Sequence, residues 1–230
     1  MKLYDLAGTN EDLRFSPFCW RVRFALAQKD LQAETIPVRF TDKDRYAFSG
    51  QGLVPVLVDG ERVITDSWDI ARYLDEAYPN TRALFPETLP RFFRYWTQLT
   101  MQPMVLKLVI MDVYACIHEK DREYFRTSRE TRFGKPLESV RVPPEQGIPA
   151  LRDTLAPLRA ALQEQPYLGG DEPDFRDYMA FAPLQFARLV SPLQLLDGSD
   201  TLHAWHELML DAFGGLARSA PCAYSPRTAS

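Results

Sequence analysis

The sequence predicts a protein of two parts: an α/β domain over residues 1–78 built on a small mixed sheet, and an all-helical domain over residues 89–220. Three observations predict it. Short apolar runs alternate with helical patterns up to Tyr78. An Asp59-Gly60 pair stands between two apolar runs. Beyond Pro79, no stretch shows a convincing strand pattern.

Leu3 to Leu6 reads as a short strand. Pro17 to Gln28 reads as a helix, with Phe18, Val22, Ala25, Leu26 and Lys29 on one face at spacings of four and three. Ile36 to Phe40 is a second strand, made parallel to the first by a right-handed crossover. Thr41 to Leu53 reads as a loop. Val54 to Val58 is nearly all apolar, as in a buried strand. Asp59-Gly60 joins it to Arg62-Val63-Ile64 as a hairpin, with positive φ expected at both turn residues. Ser67 to Ala77 is a helix striped by Ile70, Ala71, Leu74 and Ala77 and closed by Pro79.

A linker is expected at 79–88. Phe92 to His118 follows as a long apolar helical segment, which Pro103 should kink or break near Gln102. Tyr124 to Phe133 is another helix, and the prolines and glycine of Arg141 to Pro149 suggest a loop. Leu151, Leu155, Leu158 and Leu162 stripe a helix bent at Pro157. Asp174 to Leu189 and Asp200 to Phe213 complete the helices, and a loosely ordered tail is expected at 221–230.

A net charge of −4 and a pI near 5.5 argue against a nucleic-acid partner, whose binding domains often have a pI above about 9. The basic stretch from Arg122 to Lys135 is interrupted by Glu123 and Glu130 and reads as a solvated helix face. Asp5 follows the N-terminus too soon for a signal peptide, and there is no uninterrupted 18-residue apolar run, so a soluble, cytosolic protein without membrane association is expected. Cys19, Cys116 and Cys222 are too few and too scattered for a disulfide framework. His203 and His206 find no completing ligands nearby, so no metal is expected.

Four local features carry chemistry or capping. Ser16-Pro17 opens the first helix. Serine is a preferred N-cap and proline a preferred first helical residue, so capping alone explains both. The same helix end attracts anions, and a hydroxyl there can donate to a thiolate. Val54-Pro55 starts the buried strand; a trans proline at a strand's first residue is one reading, and a cis bond that frees the Val54 N–H and C=O for a peptide ligand is the other. Asp66-Ser67 either caps the second helix or receives a zwitterionic amino-acid end, with Ser67 and the helix N-terminus taking the carboxylate and Asp66 the amino group. Asp174 with Asp177 resembles a capping box, a folding device.

In this order and spacing, the features resemble the cytosolic glutathione S-transferases from Leu3 to about Leu216. The resemblance implies a thioredoxin-like first domain, a helical second domain, glutathione as co-substrate and a homodimer. It implies that Ser16 faces the glutathione sulfur, that Val54-Pro55 holds the cysteinyl backbone and that Asp66 and Ser67 hold the γ-glutamyl end. A narrower likeness is carried by Ser16-Pro17-Phe18-Cys19-Trp20-Arg21, Asp66-Ser67-Trp68, Arg122-Glu123-Tyr124-Phe125-Arg126 with Ser128-Arg129-Glu130, and Gly169-Gly170-Asp171 with Asp177-Tyr178. It is to the bacterial lignin β-aryl-etherases and their fungal etherase-like relatives, which use glutathione to cleave aryl ethers.

The expected chemistry is attack of the thiolate on a hydrophobic, aromatic electrophile. Walls for that electrophile are expected from Phe18, Cys19, Trp20, Met101, Met104, Tyr114 and Tyr124, and a hold on the glycyl carboxylate from Arg39, Lys43 or Gln51. Three rivals stand beside it: a thiol reductase using Cys19, a glutathione-dependent isomerase or dehalogenase, and a non-catalytic binding or regulatory protein.

Overall fold

The computed structural model describes residues 1–85 and 91–224. Strands β1 (Lys2–Leu6), β2 (Glu34–Val38), β3 (Val56–Asp59) and β4 (Arg62–Thr65) form one mixed sheet in the order β2-β1-β3-β4. β1 and β2 are parallel, joined through helix α1 (Pro17–Gln28), while β3 runs antiparallel to both β1 and β4. Helix α2 (Ser67–Ala77) follows β4 and packs beside α1. This is the thioredoxin-like layer of sheet and helices.

The hairpin turn lies one residue later than expected. Asp59 pairs with Arg62, so Gly60 and Glu61 are the central residues, and of them only Gly60 has positive φ, at 58°. That is the type II′ requirement, glycine at the first central position. The expected loop after β2 contains a 3₁₀ helix, Lys43–Ser49, which brings Tyr46 into the core against Val38 and Val56.

The helical domain comprises α3 (Arg91–Trp96), α4 (Gln102–Cys116), α5 (Glu119–Phe133), α6 (Leu137–Val140), α7 (Pro144–Thr154), α8 (Ala156–Ala161), α9 (Phe175–Val190) and α10 (Thr201–Gly215). Pro103 does not break the long segment. A π turn at Thr97–Met101 absorbs it, with the Gln102 N–H donating to the Thr97 carbonyl. The continuous helix Arg91–Cys116 is long and apolar enough to cross a membrane, with a mean hydropathy of 1.3, yet its α4 portion packs on α7 and α9.

The expected loop at Arg141 to Pro149 is helical from Pro144. Proline fits the first helical position because its missing N–H would find no partner there anyway. Gly147 then lets α7 lie against α4; a Cβ there would come within 2.6 Å of Leu108 Cδ2.

Helix α9 is the axis of the molecule. All its residues but Arg176 and Arg188 are buried, as expected of a helix apolar all round. It packs on α1 and α4 and so joins the two layers: Phe24 of α1 stacks on Tyr178 at 5.2 Å and meets Phe181 edge-on at 5.4 Å. Of the linker expected at 79–88, Leu84 and Phe85 are held by the Asp75 carboxylate, while residues 86–88 lie outside the described residues. Of the expected tail, Ala223 donates to the Leu189 carbonyl and Tyr224 to that of Arg188, and residues 225–230 lie outside the described residues.

Candidate active site

A cleft of 490 Å³ separates the sheet domain from the helices. Ser16, Val54, Pro55, Asp66 and Ser67 line one side, and Gln98, Gln102, Leu106, Tyr124 and Arg129 the other. Helix α1 starts at its floor. Ser16 stands just before α1 in extended conformation, and its Oγ accepts the Cys19 N–H at 3.3 Å. This is an N-cap, with Pro17 at the first helical position. A hydroxyl accepts and donates at once, so capping leaves its O–H able to donate, to the neighbouring Cys19 sulfur or to a group in the cleft. Capping and thiolate donation are therefore compatible at this residue.

The Val54–Pro55 bond is cis. The ladder between β1 and β3 begins at Tyr4↔Val56, which leaves Val54 outside the sheet and on the cleft wall. Across from it, Asp66 has φ of 67°, a region that Asp enters more readily than most residues. Its carboxylate caps α2 by accepting the Trp68 N–H at 2.8 Å, and it also accepts from Arg94 Nη2 at 3.3 Å. The Arg94 guanidinium lies over the Trp68 ring.

Behind these stands Arg21, 1% exposed, where burial lowers the guanidinium pKa, Asp66 raises it and Arg94 lowers it. Among the described residues, Arg21 Nε and Nη2, Arg94 Nε, Ser67 Oγ and Gln102 Oε1 are buried without a hydrogen-bond partner. A buried polar atom without a partner costs about 1–3 kcal/mol. This set offers donors suited to a carboxylate and, in Asp66 and Gln102, acceptors suited to an ammonium group. A zwitterionic amino-acid end such as the γ-glutamyl group of glutathione fits it.

Several expected wall residues lie elsewhere. Cys19, Trp20 and Met101 have no exposed surface and do not line the cleft. Side chains one and two positions past Phe18 rotate away around α1, so Phe18 faces the cleft while Trp20 packs on Phe24 and donates its Nε1–H to the Arg14 carbonyl at 2.7 Å. Burial pushes the Cys19 thiol well above its usual pKa, with the Asp5 charge adding to the effect, and this counts against a thiol reductase built on Cys19. Met104 and Tyr114 pack against the core instead; Tyr114 lies beneath the Arg126 guanidinium at 5.0 Å.

Of the three residues considered for the glycyl carboxylate, Gln51 lines the cleft and Lys43 places its ammonium over Tyr124 at 4.6 Å. Arg39 turns instead to Glu11 and the Thr9 carbonyl. Residues outside the expected site set also line or support the cleft: Phe40, Gln98, Gln102, Arg129 and Arg132 line it, and Arg94 holds Asp66. The spacing of Arg94, Gln98 and Gln102, four apart on one helical segment, is the signal that could have found three of them.

The architecture defines a two-domain class, a thioredoxin-like layer followed by a helical domain with a cleft between them. The sequence matches the family model "Glutathione S-transferase, N-terminal domain" over residues 12–82 and "Glutathione S-transferase, C-terminal domain" over residues 88–211. The chain belongs to the glutathione S-transferase family. It is 46% identical to glutathione S-transferase Z1 of Arabidopsis thaliana over 76 residues, which cover 31% of this chain and 32% of that protein. It is 26% identical to glutathione S-transferase omega-1 of Mus musculus over 200 residues, 86% of this chain and 74% of the relative. Glutathione transferase GSTFuA2 of Phanerochaete chrysosporium is similar in structure, with a TM-score of 0.73 at 26% identity over 94% of this chain and 93% of that one. The transferase CsGST63524 of Ceriporiopsis subvermispora, solved in complex with glutathione, shares the fold with a TM-score of 0.76 at 21% identity, covering 95% and 94% of the two chains.

Proposed function

We propose that this protein is a cytosolic glutathione transferase that presents the glutathione thiolate to a hydrophobic, aromatic electrophile, with β-aryl ether cleavage as its specific form. The observation that carries the reading is the placing of Ser16 at the N-terminus of α1 on the wall of the cleft that Val54, Asp66 and Ser67 also line.

Each residue has a task. Val54 holds the cysteinyl backbone. Ser67 and the donors of Arg21 and Arg94 take the γ-glutamyl carboxylate, and Asp66 takes its ammonium group. Gln51 and Lys43 meet the glycyl end. Glutathione supplies the sulfur nucleophile, and Ser16 with the N-terminus of α1 lowers the pKa of its thiol from the ordinary value of about 8.5. Phe18, Phe40, Leu106 and Phe186 form an apolar wall that orients the electrophile and keeps water out. In ether cleavage the C–S bond forms as the Cβ–O bond breaks, and the phenoxide leaves to take a proton from solvent.

The narrow motif likeness around Ser16 and Asp66 supports the etherase form. The decisive experiment is turnover of a β-aryl ether beside a generic chloronitrobenzene, each with and without glutathione. Glutathione-dependent release of the phenol is expected. Turnover of the generic electrophile alone would remove the etherase form, and glutathione binding without any turnover would favour a non-catalytic binding protein.

A homodimer belongs to the same proposal. Phe92, Tyr95 and Leu99 lie three and four residues apart on one helical face and are 76%, 50% and 71% exposed, a stripe of the kind an interface covers. Leu99→Arg is expected to yield monomers by analytical ultracentrifugation; a wild-type monomer at micromolar concentration would refute the proposal.

A further inference from the structure

We propose that the electrophile carries an anionic group, most simply a carboxylate on its aromatic part, and that Arg129 and Arg132 of α5 hold it. This deepens the transferase reading and rests on it for the identity of the cleft.

Both arginines line the cleft, where Asp66 supplies the one lining carboxylate among the described residues, and Asp66 already serves Trp68 and Arg94. The Arg129 guanidinium lies over Phe40 at 5.1 Å and over Phe125 at 4.4 Å. Its Nη1 donates to Ser128 Oγ at 2.8 Å, which leaves donors of its five-donor fork to spare. The carboxylates nearby have other partners. Asp121 accepts from the Phe40 and Thr41 N–H groups and the Thr41 hydroxyl, and Glu130 from Arg126 and the Leu137 N–H.

Burial lowers the Arg129 pKa, Tyr124 raises it, and the charge of Arg132 lowers it further, so the two guanidinium groups repel one another. Two cations in a cleft whose one lining carboxylate, Asp66, already serves other groups are most readily satisfied by a bound anion, and the planar fork matches a carboxylate. Phe40 stands between Arg129 and Phe15, the residue before Ser16, with the Phe40 and Phe15 rings tilted at 49° and centred 6.3 Å apart. A ring resting on Phe40 would thus have its carboxylate at the arginines and its reacting carbon toward the sulfur.

Equilibrium dialysis of 4-nitrobenzoate and its methyl ester tests this, with and without glutathione. The acid is expected to bind at least about tenfold more tightly than the ester. The preference should shrink in Arg132→Gln and disappear in the Arg129→Gln, Arg132→Gln double variant. Arg132 is exposed, so Arg132→Glu, which should reverse the preference, serves if the double variant does not fold. Equal affinity for acid and ester overturns the proposal, as does a preference that survives both substitutions. A matching loss of glutathione affinity would assign the arginines to the glycyl carboxylate and overturn it too.

Turnover is read separately with 4-chloro-3-nitrobenzoate and its ester. There sulfur bonds to the ring carbon, chloride leaves and the thiol proton passes to solvent. Selective acid binding without either conjugation would sink the transferase reading and leave only the anion site at Arg129 and Arg132 in place.

Discussion

Ser16 serves two ends through one oxygen. Its lone pair caps α1 and its O–H is a donor on the cleft wall, so Ser16→Ala removes both. Loss of the cap should cost about 0.5–2 kcal/mol of stability. Loss of a donor aimed at developing negative charge should lower kcat by about a hundredfold. Stopped-flow turnover beside a urea melt separates the two; a melt that moves while kcat stays would remove Ser16 as the thiolate donor. Asp66 also has two roles, capping α2 and facing the cleft. Asp66→Ala should weaken glutathione binding by about tenfold or more, read by calorimetry, and an unchanged Kd would cancel its γ-glutamyl role. Burial of single residues was the hardest property to read in advance. Phe18, Cys19 and Trp20 are consecutive, yet only the first reaches the cleft, because a helix turns by about 100° per residue and the sheet and α9 claim the other directions.

At the scale of elements, the start of α9 shows how a buried charge can organise a fold. Asp174 and Asp177 form a full capping box, and Asp177 also accepts from the Leu168 and Gly169 N–H groups and from Trp205 Nε1. One carboxylate thus ties the loop before α9, the helix itself and α10 together. Asp177→Asn turns an NH₂ toward N–H donors and leaves about two groups unsatisfied. A loss of roughly 2–4 kcal/mol is expected in chemical denaturation, and a loss below about 0.5 kcal/mol would show that the loop reorganises freely. The sequence pattern located this box, as it located α1 and α2, since capping residues at fixed spacing mark a helix start whatever packs on it. It misread α7, where Pro144, Gly147 and Pro149 looked like loop residues but serve a helix start and a close helix contact.

Across the whole molecule, buried titratable groups pull stability in opposite directions. Burial raises Asp177 from 3.8 to about 6, against the pull of the groups that donate to it. Its contribution is full below about pH 3.8 and is lost as pH rises through about 6. His206 rests against Phe181 at 5.2 Å, and burial lowers it from 6.5 to about 4. Its contribution is full above pH 6.5 and is lost as pH falls through about 4. His206→Phe keeps the ring contact and removes the second effect. Its Tm, relative to wild type, should therefore rise as pH falls from 6.5 to 4, as scanning calorimetry at stepped pH would show. A constant difference in Tm would mean that His206 titrates normally.

The sequence by itself determined the order of the strands with α1 and α2, the two-part architecture and the residues that start α1, α2 and α9. These depend on local periodicity, capping and turn chemistry, which act over a few neighbouring residues. Only the tertiary structure decided which side chains share the cleft. Arg129 and Arg132 reach it from a domain far along the chain, Arg94 supports it through Asp66, and Arg39 turns to Glu11 instead. The basic run from Arg122 to Lys135 read as a solvated face because its spacing carries charge but no direction. What α5 packs against gives it one: Phe40 of the other domain lies under Arg129 and turns part of that face into cleft wall.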